Sequence, residues 1–284
     1  MYERHFSEGA FFGPKTERAR DIIFAADKAI LKEILRVGGM ETYTHQHPEL
    51  AEAFTDKEAC LCCMDERAGK GTLHVPGSGI GIEGEEAQAA FRNSLKEAGI
   101  KGVYSHDKCG AAKLYAEKHG IEDYDVAAIS YTQDLARKLG VEYKGHVKTS
   151  GEHPGRVVYF DTTGELKNGS AVWQEKMPTG FVISRTVLNE QEARDALVLA
   201  VKIAFSDHGY GPKFFSEEDP LSLVYIAKPS LDIPQEGFSK EQLQEELRSC
   251  YQQILREIPE AAGKIHLDGF TAPDRSLENK ELAA

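Results

Sequence analysis

The chain has 284 residues, 41% of them hydrophobic, with a formal net charge of -12 and a pI near 5.4. That composition suits a packed soluble protein acting on a small molecule and excludes an electrostatic nucleic-acid surface, because phosphate binding needs a positive field that no dense Lys/Arg stretch here supplies. The opening segment MYERHFSEGAFFGPKTERAR lacks an apolar leader core, and no run approaches the roughly 20 apolar residues that span a bilayer.

Apolar residues Ile23, Ala26, Ile30, Ile34 and Val37 recur at helical steps, which predicts an amphipathic helix over 16–37 closed by Gly38-Gly39. Connecting structure follows, with His45 and His47 flanking Gln46. Residues 59–64 are short, apolar and uncharged, as a buried strand of a parallel sheet would be. Residues 72–75 read as the next strand and lead into Pro76-Gly77-Ser78-Gly79. A helix over 83–98 with an acidic first turn, a strand over 101–105, and helices over 111–119 and 124–139 come next. Beyond them, 156–160 reads as a strand entering a tight turn and a short return. Residues 181–184 and 221–227 read as further strands. Asn189 with Glu192, and Ser239 with Gln242, have capping-box spacing at the start of two more helices, the second striped by Leu243, Leu247, Cys250, Ile254 and Ile258.

Strand and helix alternate over the first half and the pattern begins again beyond Pro178, so the expected class is α/β, a mainly parallel sheet flanked by helices. Two parts are expected, a core over 1–175 and a C-terminal α/β extension over 176–284 that can equally pack into the core. No internal repeat is visible in the sequence.

The chemistry concentrates in two stretches, Cys60-Leu-Cys62-Cys63-Met-Asp65-Glu-Arg67 and His106-Asp-Lys-Cys109. Two thiolates and an imidazole are the donors that zinc prefers, and three protein ligands leave a fourth tetrahedral position for catalysis. Alternation along an extended strand would put Cys63, Asp65 and Arg67 on one face and turn Cys60 and Cys62 to the other. Cys63 is therefore the expected ligand and Cys62 a small buried hydrophobe. His106 and Cys109 fall where a strand gives way to a helix, the place where ligand crevices form in open α/β sheets. The crowding of three cysteines between Cys60 and Cys63 is unlike a disulfide framework, and a reducing, cytoplasmic setting is expected.

These motifs resemble those of the β-class carbonic anhydrases, which bind zinc through the Cys of Cys-x-Asp-x-Arg and the His and Cys of His-x-x-Cys. Both stand intact as Cys63-Met-Asp65-Glu-Arg67 and His106-Asp-Lys-Cys109. The resemblance runs over 55–168 and includes Gly110-Ala111, the Gly77-Ser78-Gly79 turn in the place of the family's Asn-Ala-Gly, and 158–166 as its late strand and turn. It implies Zn2+ on Cys63, His106 and Cys109, and reversible hydration of carbon dioxide to bicarbonate by a zinc-bound hydroxide that Asp65, held by Arg67, orients. It also implies a substrate pocket near Gly77, Ser78 and Gly79, and a homodimer. In the family the same Asp can release its Arg and close the zinc site, and Asp65 would do likewise. The segment between Arg67 and the glycine turn is shorter than in typical members, so the pocket walls are rebuilt.

Other readings use the same residues. A hydrolase of carbon disulfide or carbonyl sulfide keeps the metal chemistry with another small linear electrophile, and a noncatalytic zinc site would close the tetrahedron with Cys60, Cys62 or Asp65. Gly79-Ile-Gly81-Ile-Glu-Gly84 matches a dinucleotide fingerprint in letters, but Glu83, Glu85 and Glu86 would set negative charge where a pyrophosphate must sit. His74 and His153 are candidate proton shuttles, and 206–211 is a glycine-stopped helix end or a second polar site.

Overall fold

The short apolar runs become strands, and all the described strands lie parallel in two sheets, as a chain that alternates strand and helix demands. The computed structural model describes residues 14–55, 59–149, 155–206, 214–229 and 239–273. In chain order the elements are α1 (Pro14–Val37), α2 (Met40–His45), β1 (Cys60–Cys62), β2 (Leu73–His74), α3 (Glu85–Glu97), β3 (Gly102–His106), α4 (Gly110–His119), α5 (Tyr124–Leu139) and β4 (Glu142–Val147), then β5 (Val157–Asp161), α6 (Ala171–Lys176), β6 (Gly180–Ser184), α7 (Glu190–Phe205), β7 (Leu221–Ala227), α8 (Lys240–Glu257) and β8 (Ile265–Thr271). The first sheet has the order β2-β1-β3-β4 and the second β6-β5-β7-β8.

Local signals place most of these elements. Gly38 and Gly39 both take positive φ, and the Gly39 N–H closes on Ile34 O, which ends α1 where the sequence predicts. Both capping boxes form, Asn189 with Glu192 on α7 and Ser239 with Gln242 on α8. The α8 stripe Leu243, Leu247, Cys250, Ile254 and Ile258 is buried as expected. Two edge strands, β4 and β8, escape sequence patterning, since charged and polar residues interrupt them. The return after β5 forms no hairpin: Leu166 makes an antiparallel bridge to Phe54 instead.

The two sheets adjoin through β2 and β6. Val182 N–H donates to Met64 O at 3.0 Å, and His74 N–H donates to Ser184 Oγ at 2.9 Å. A single core unites Leu61, Leu73 and Val103 of the first sheet with Val158, Phe181 and Leu223 of the second, covered by α3, α5, α7 and α8. On its other face the second sheet packs Val157, Tyr159 and Val224 against Ile34, Met40, Leu50 and Trp173. The N-terminal helices thus cover the second sheet, and the chain passes from the first sheet to the second between β4 and β5.

Asp27 joins α1 to the start of β6. Its Oδ1 accepts from Thr179 N–H at 3.2 Å and from Thr179 Oγ1 at 3.3 Å. Burial pushes its carboxyl up to about 7, against the pull of those two bonds. A carboxyl with a raised folded pKa stabilises the fold below its unfolded pKa, and that contribution is lost as pH rises through the folded value. Asp27→Asn should therefore gain stability over the parent, by a few kcal/mol, as pH rises from about 4 to about 7, and the difference should level off above that. Urea unfolding of both proteins across this range measures it; a difference independent of pH would refute the assignment.

Candidate metal centre

Cys63, His106 and Cys109 come together with their candidate ligand atoms all within 4.8 Å of one another, and all three residues are buried. The two sulfurs are 3.9 Å apart. Cys63 stands just past the end of β1, His106 is the last residue of β3, and Cys109 is the N-cap of α4. Neighbouring parallel strands thus deliver all three ligands at their carboxyl ends. The loop between His106 and Cys109 is pinned on both sides. Thr149 donates to Asp107 Oδ1 through N–H at 2.7 Å and Oγ1 at 2.6 Å, and Lys108, at φ +54°, donates its N–H to Asp125 Oδ1 at 3.0 Å.

The protonation balance of the three side chains is set by burial and by one another. Burial, reinforced by the Cys109 sulfur, pushes the Cys63 thiol well above its ordinary range. The hydrogen bond from Cys63 lowers Cys109 in spite of burial, helped by the Ala112 and Ala111 N–H groups at the start of α4. Burial alone would depress the His106 imidazole, but the neighbouring Cys63 sulfur and the Asp65 carboxylate outweigh it and raise the ring to about 9. Neither His106 ring nitrogen makes a hydrogen bond of good geometry, although the Cys63 sulfur and the Asp65 carboxylate lie beside the ring. A buried imidazole left in that state is costly, and a cation held by the two sulfurs and this ring satisfies all three groups while displacing their protons.

Asp65 and Arg67 meet beside this cluster, though strand alternation does not bring them there. β1 ends at Cys62, and Asp65 caps a 3-10 turn, Glu66–Ala68. The Asp65 side chain receives Arg67 N–H at 2.9 Å and Nε at 3.0 Å on Oδ1, and Arg67 Nη2 at 2.7 Å on Oδ2. Oδ2 also lies 3.8 Å from His106 Nδ1. The turn therefore achieves what the expected strand face would have done, and it does so by wrapping the guanidinium back onto the carboxylate.

Cys62 turns away, as expected, but it is more than a small hydrophobe: its Sγ lies 3.1 Å from His74 Nδ1, which is also 3.2 Å from Cys63 O. His74 is wholly buried, and burial pushes its imidazole down to about 4, which suits a neutral core residue better than a proton shuttle. His153 and 207–211 lie outside the described residues. His45 and His47 sit beside Glu41 and Glu49, apart from the cluster.

The glycine turn contributes to the ligands. Gly77 and Ser78 adopt φ +55° and +57°, and Gly77 donates its N–H to Cys63 Sγ at 3.1 Å. Ser78 Oγ donates to Tyr104 O at 2.8 Å, and Gly79 lies under the Phe91 ring, where a Cβ would stand 2.4 Å from Cε1. All three residues of the turn are buried. Gly79 thus serves the packing of α3. The role of Gly77 as a donor to a ligand sulfur was not legible in sequence, since it depends on where the turn folds back.

Compared with protein-family models, curated proteins and solved structures, the chain matches none of them. Among the described residues, no helix is long and apolar enough to cross a membrane.

A Cβ at Gly77 would stand 2.6 Å from Ile80 Cγ2 and 3.1 Å from Ala111 Cβ, on a backbone that only glycine adopts easily. Gly77→Ala should move the N–H off Cys63 Sγ and weaken divalent-metal binding about 10–100-fold. Competition against a chromophoric chelator reads the loss; parental affinity in a folded variant would show that this donor is dispensable.

Proposed function

We propose that the protein is a zinc enzyme of the β-class carbonic anhydrase type, catalysing reversible hydration of carbon dioxide to bicarbonate. The observation that carries the proposal is the convergence of Cys63, His106 and Cys109 with the Asp65–Arg67 pair at one buried point. The 3.9 Å between the sulfurs suits a single tetrahedral ion, since two thiolates at ~2.3 Å from zinc lie ~3.8 Å apart. Two sulfurs and an imidazole also favour zinc over the oxygen-seeking magnesium and calcium. When bound, zinc supplies Lewis-acid activation of water toward a carbon electrophile.

The chain's own part is orientation. Arg67 holds both carboxylate oxygens of Asp65 in a forked pair, which fixes the direction of its remaining lone pairs. Oδ2, 3.8 Å from His106 Nδ1, would accept a hydrogen bond from the attacking water and aim its oxygen at the carbon. A closed structural site would need a fourth donor here. Cys62 is turned to His74, and Asp65 is held by Arg67, which favours an open position. The five cysteines are all free thiols, which agrees with a reducing, cytoplasmic setting as part of the same proposal.

Metal analysis combined with stopped-flow hydration of carbon dioxide tests this reading. About one zinc per chain is expected, with hydration abolished in Cys63→Ser and reduced about 10–100-fold in Asp65→Asn while zinc is retained. A zinc-loaded, folded protein inert toward carbon dioxide would sink the proposal, and turnover of carbonyl sulfide or carbon disulfide by that protein would redirect it to the alternative substrates.

A further inference from the structure

The two sheets repeat one another. Both are all parallel, and their strand orders correspond, β2-β1-β3-β4 and β6-β5-β7-β8. Each sheet also carries a core-facing row at the corresponding level, and beyond it the first sheet has a bulge between Val103 and Tyr104 where β7 and β8 run without one. Leu73, Leu61, Val103 and Tyr143 form one row across the first sheet, and Phe181, Val158, Leu223 and Leu267 form the matching row across the second. Both rows belong to the shared core or pack on it.

The connections repeat too. α3 crosses from β2 to β3 as α7 crosses from β6 to β7, and α5 precedes β4 as α8 precedes β8. Contacts between the halves are reciprocal: α3 packs on the 3-10 turn Arg185–Val187 that follows β6, and α7 packs on the turn Pro76–Gly79 that follows β2. Reciprocal pairing of equivalent elements is what a two-fold relation produces.

Counted on from the matched row, the positions of Cys63 and His106 fall on Phe160 and Ile226, and that of Cys109, past the end of its strand, falls on Pro229. None of these has a side-chain donor for a metal. The positions of Asp65 and Arg67 fall on Thr162 and Gly164. We infer that the chain is an internal duplication in which the N-terminal copy keeps the metal chemistry, while the C-terminal copy binds no metal and braces the first copy's centre through α7.

The brace reaches the centre in two places. α7 packs on the turn whose Gly77 N–H holds Cys63 Sγ. Ile203 of α7 also places its Cδ1 3.4 Å from where a Cβ on Gly110 would stand, directly after Cys109. Ile203 is half-buried, so it supports the ligand loop from the edge of the core and its truncation spares the interior. The inference rests on the metal centre and holds whatever the substrate is.

Cobalt(II) titration of the full-length chain, followed by sulfur-to-cobalt charge-transfer and d–d absorption, tests both parts. Saturation is expected at about one ion per chain, and a Cys63→Ser/Cys109→Ser double variant should bind none. Saturation near two, or a specific ion kept by the double variant, would overturn the assignment of a metal-free second half. For the brace, Ile203→Ala should release cobalt to excess chelator about tenfold faster than the parent. Ile254→Val on α8 perturbs the same half away from the centre and should release it at the parental rate. Parental release by Ile203→Ala, or equal acceleration by Ile254→Val, would overturn the brace.

Discussion

A buried imidazole without a hydrogen bond of good geometry, set between two buried sulfurs, is the constraint that the surrounding structure serves. Leaving such a group unsatisfied costs about 1–3 kcal/mol, and His106 leaves both ring nitrogens in that position. A cation would convert the cost into a bond. The neighbouring structure holds the three ligands ready for it: Thr149 and Asp125 fix the loop between His106 and Cys109, Gly77 fixes Cys63, and Arg67 fixes Asp65. Each support comes from a different element, so the site depends on the fold as a whole.

What the sequence made legible was local. The capping boxes, the glycine stops and the α8 stripe rest on spacing within one element, and they reappear as read. The convergence of Cys63, His106 and Cys109 was legible for a related reason, since their residue types at the ends of short apolar runs already imply strand ends meeting. The geometry of Asp65 and Arg67 was less so. Both residues belong at the centre, but the extended strand that would have aligned them stops at Cys62, and a capped turn brings them together instead. Parity arguments fail where a buried strand ends early, because apolar character alone does not mark the last extended residue. β4 and β8 were missed because they carry polar and charged side chains on half-exposed backbone.

The repeat was invisible for a different physical reason. Register conserves position, and a core position constrains only size and apolarity: Leu61 answers to Val158, Leu73 to Phe181, and Val103 to Leu223. Such exchanges preserve packing while erasing identity. The residues that would betray kinship are the functional ones, and these are the positions where the second copy has Phe160 and Ile226 in place of a thiol and an imidazole. Once the ligands are gone, nothing but the hydrophobic row holds the two copies to one pattern.

Charge connects this arrangement to the proposed chemistry. Two thiolates cancel a divalent ion, so the loaded centre would be formally neutral, and with Asp65 paired to Arg67 the immediate surroundings add little net field. The chain as a whole is acidic, at -12. Such a site has no electrostatic means of gathering an anion, and the surrounding charge opposes one. An uncharged electrophile is under no such penalty. On the proposed reading the asymmetry acts on the product: carbon dioxide enters without electrostatic cost, while bicarbonate, once formed, meets a negative molecule that favours its departure. The second copy contributes by bracing the Gly77 turn and the loop at Cys109 through α7, which leaves the charge balance at the centre to the residues of the first.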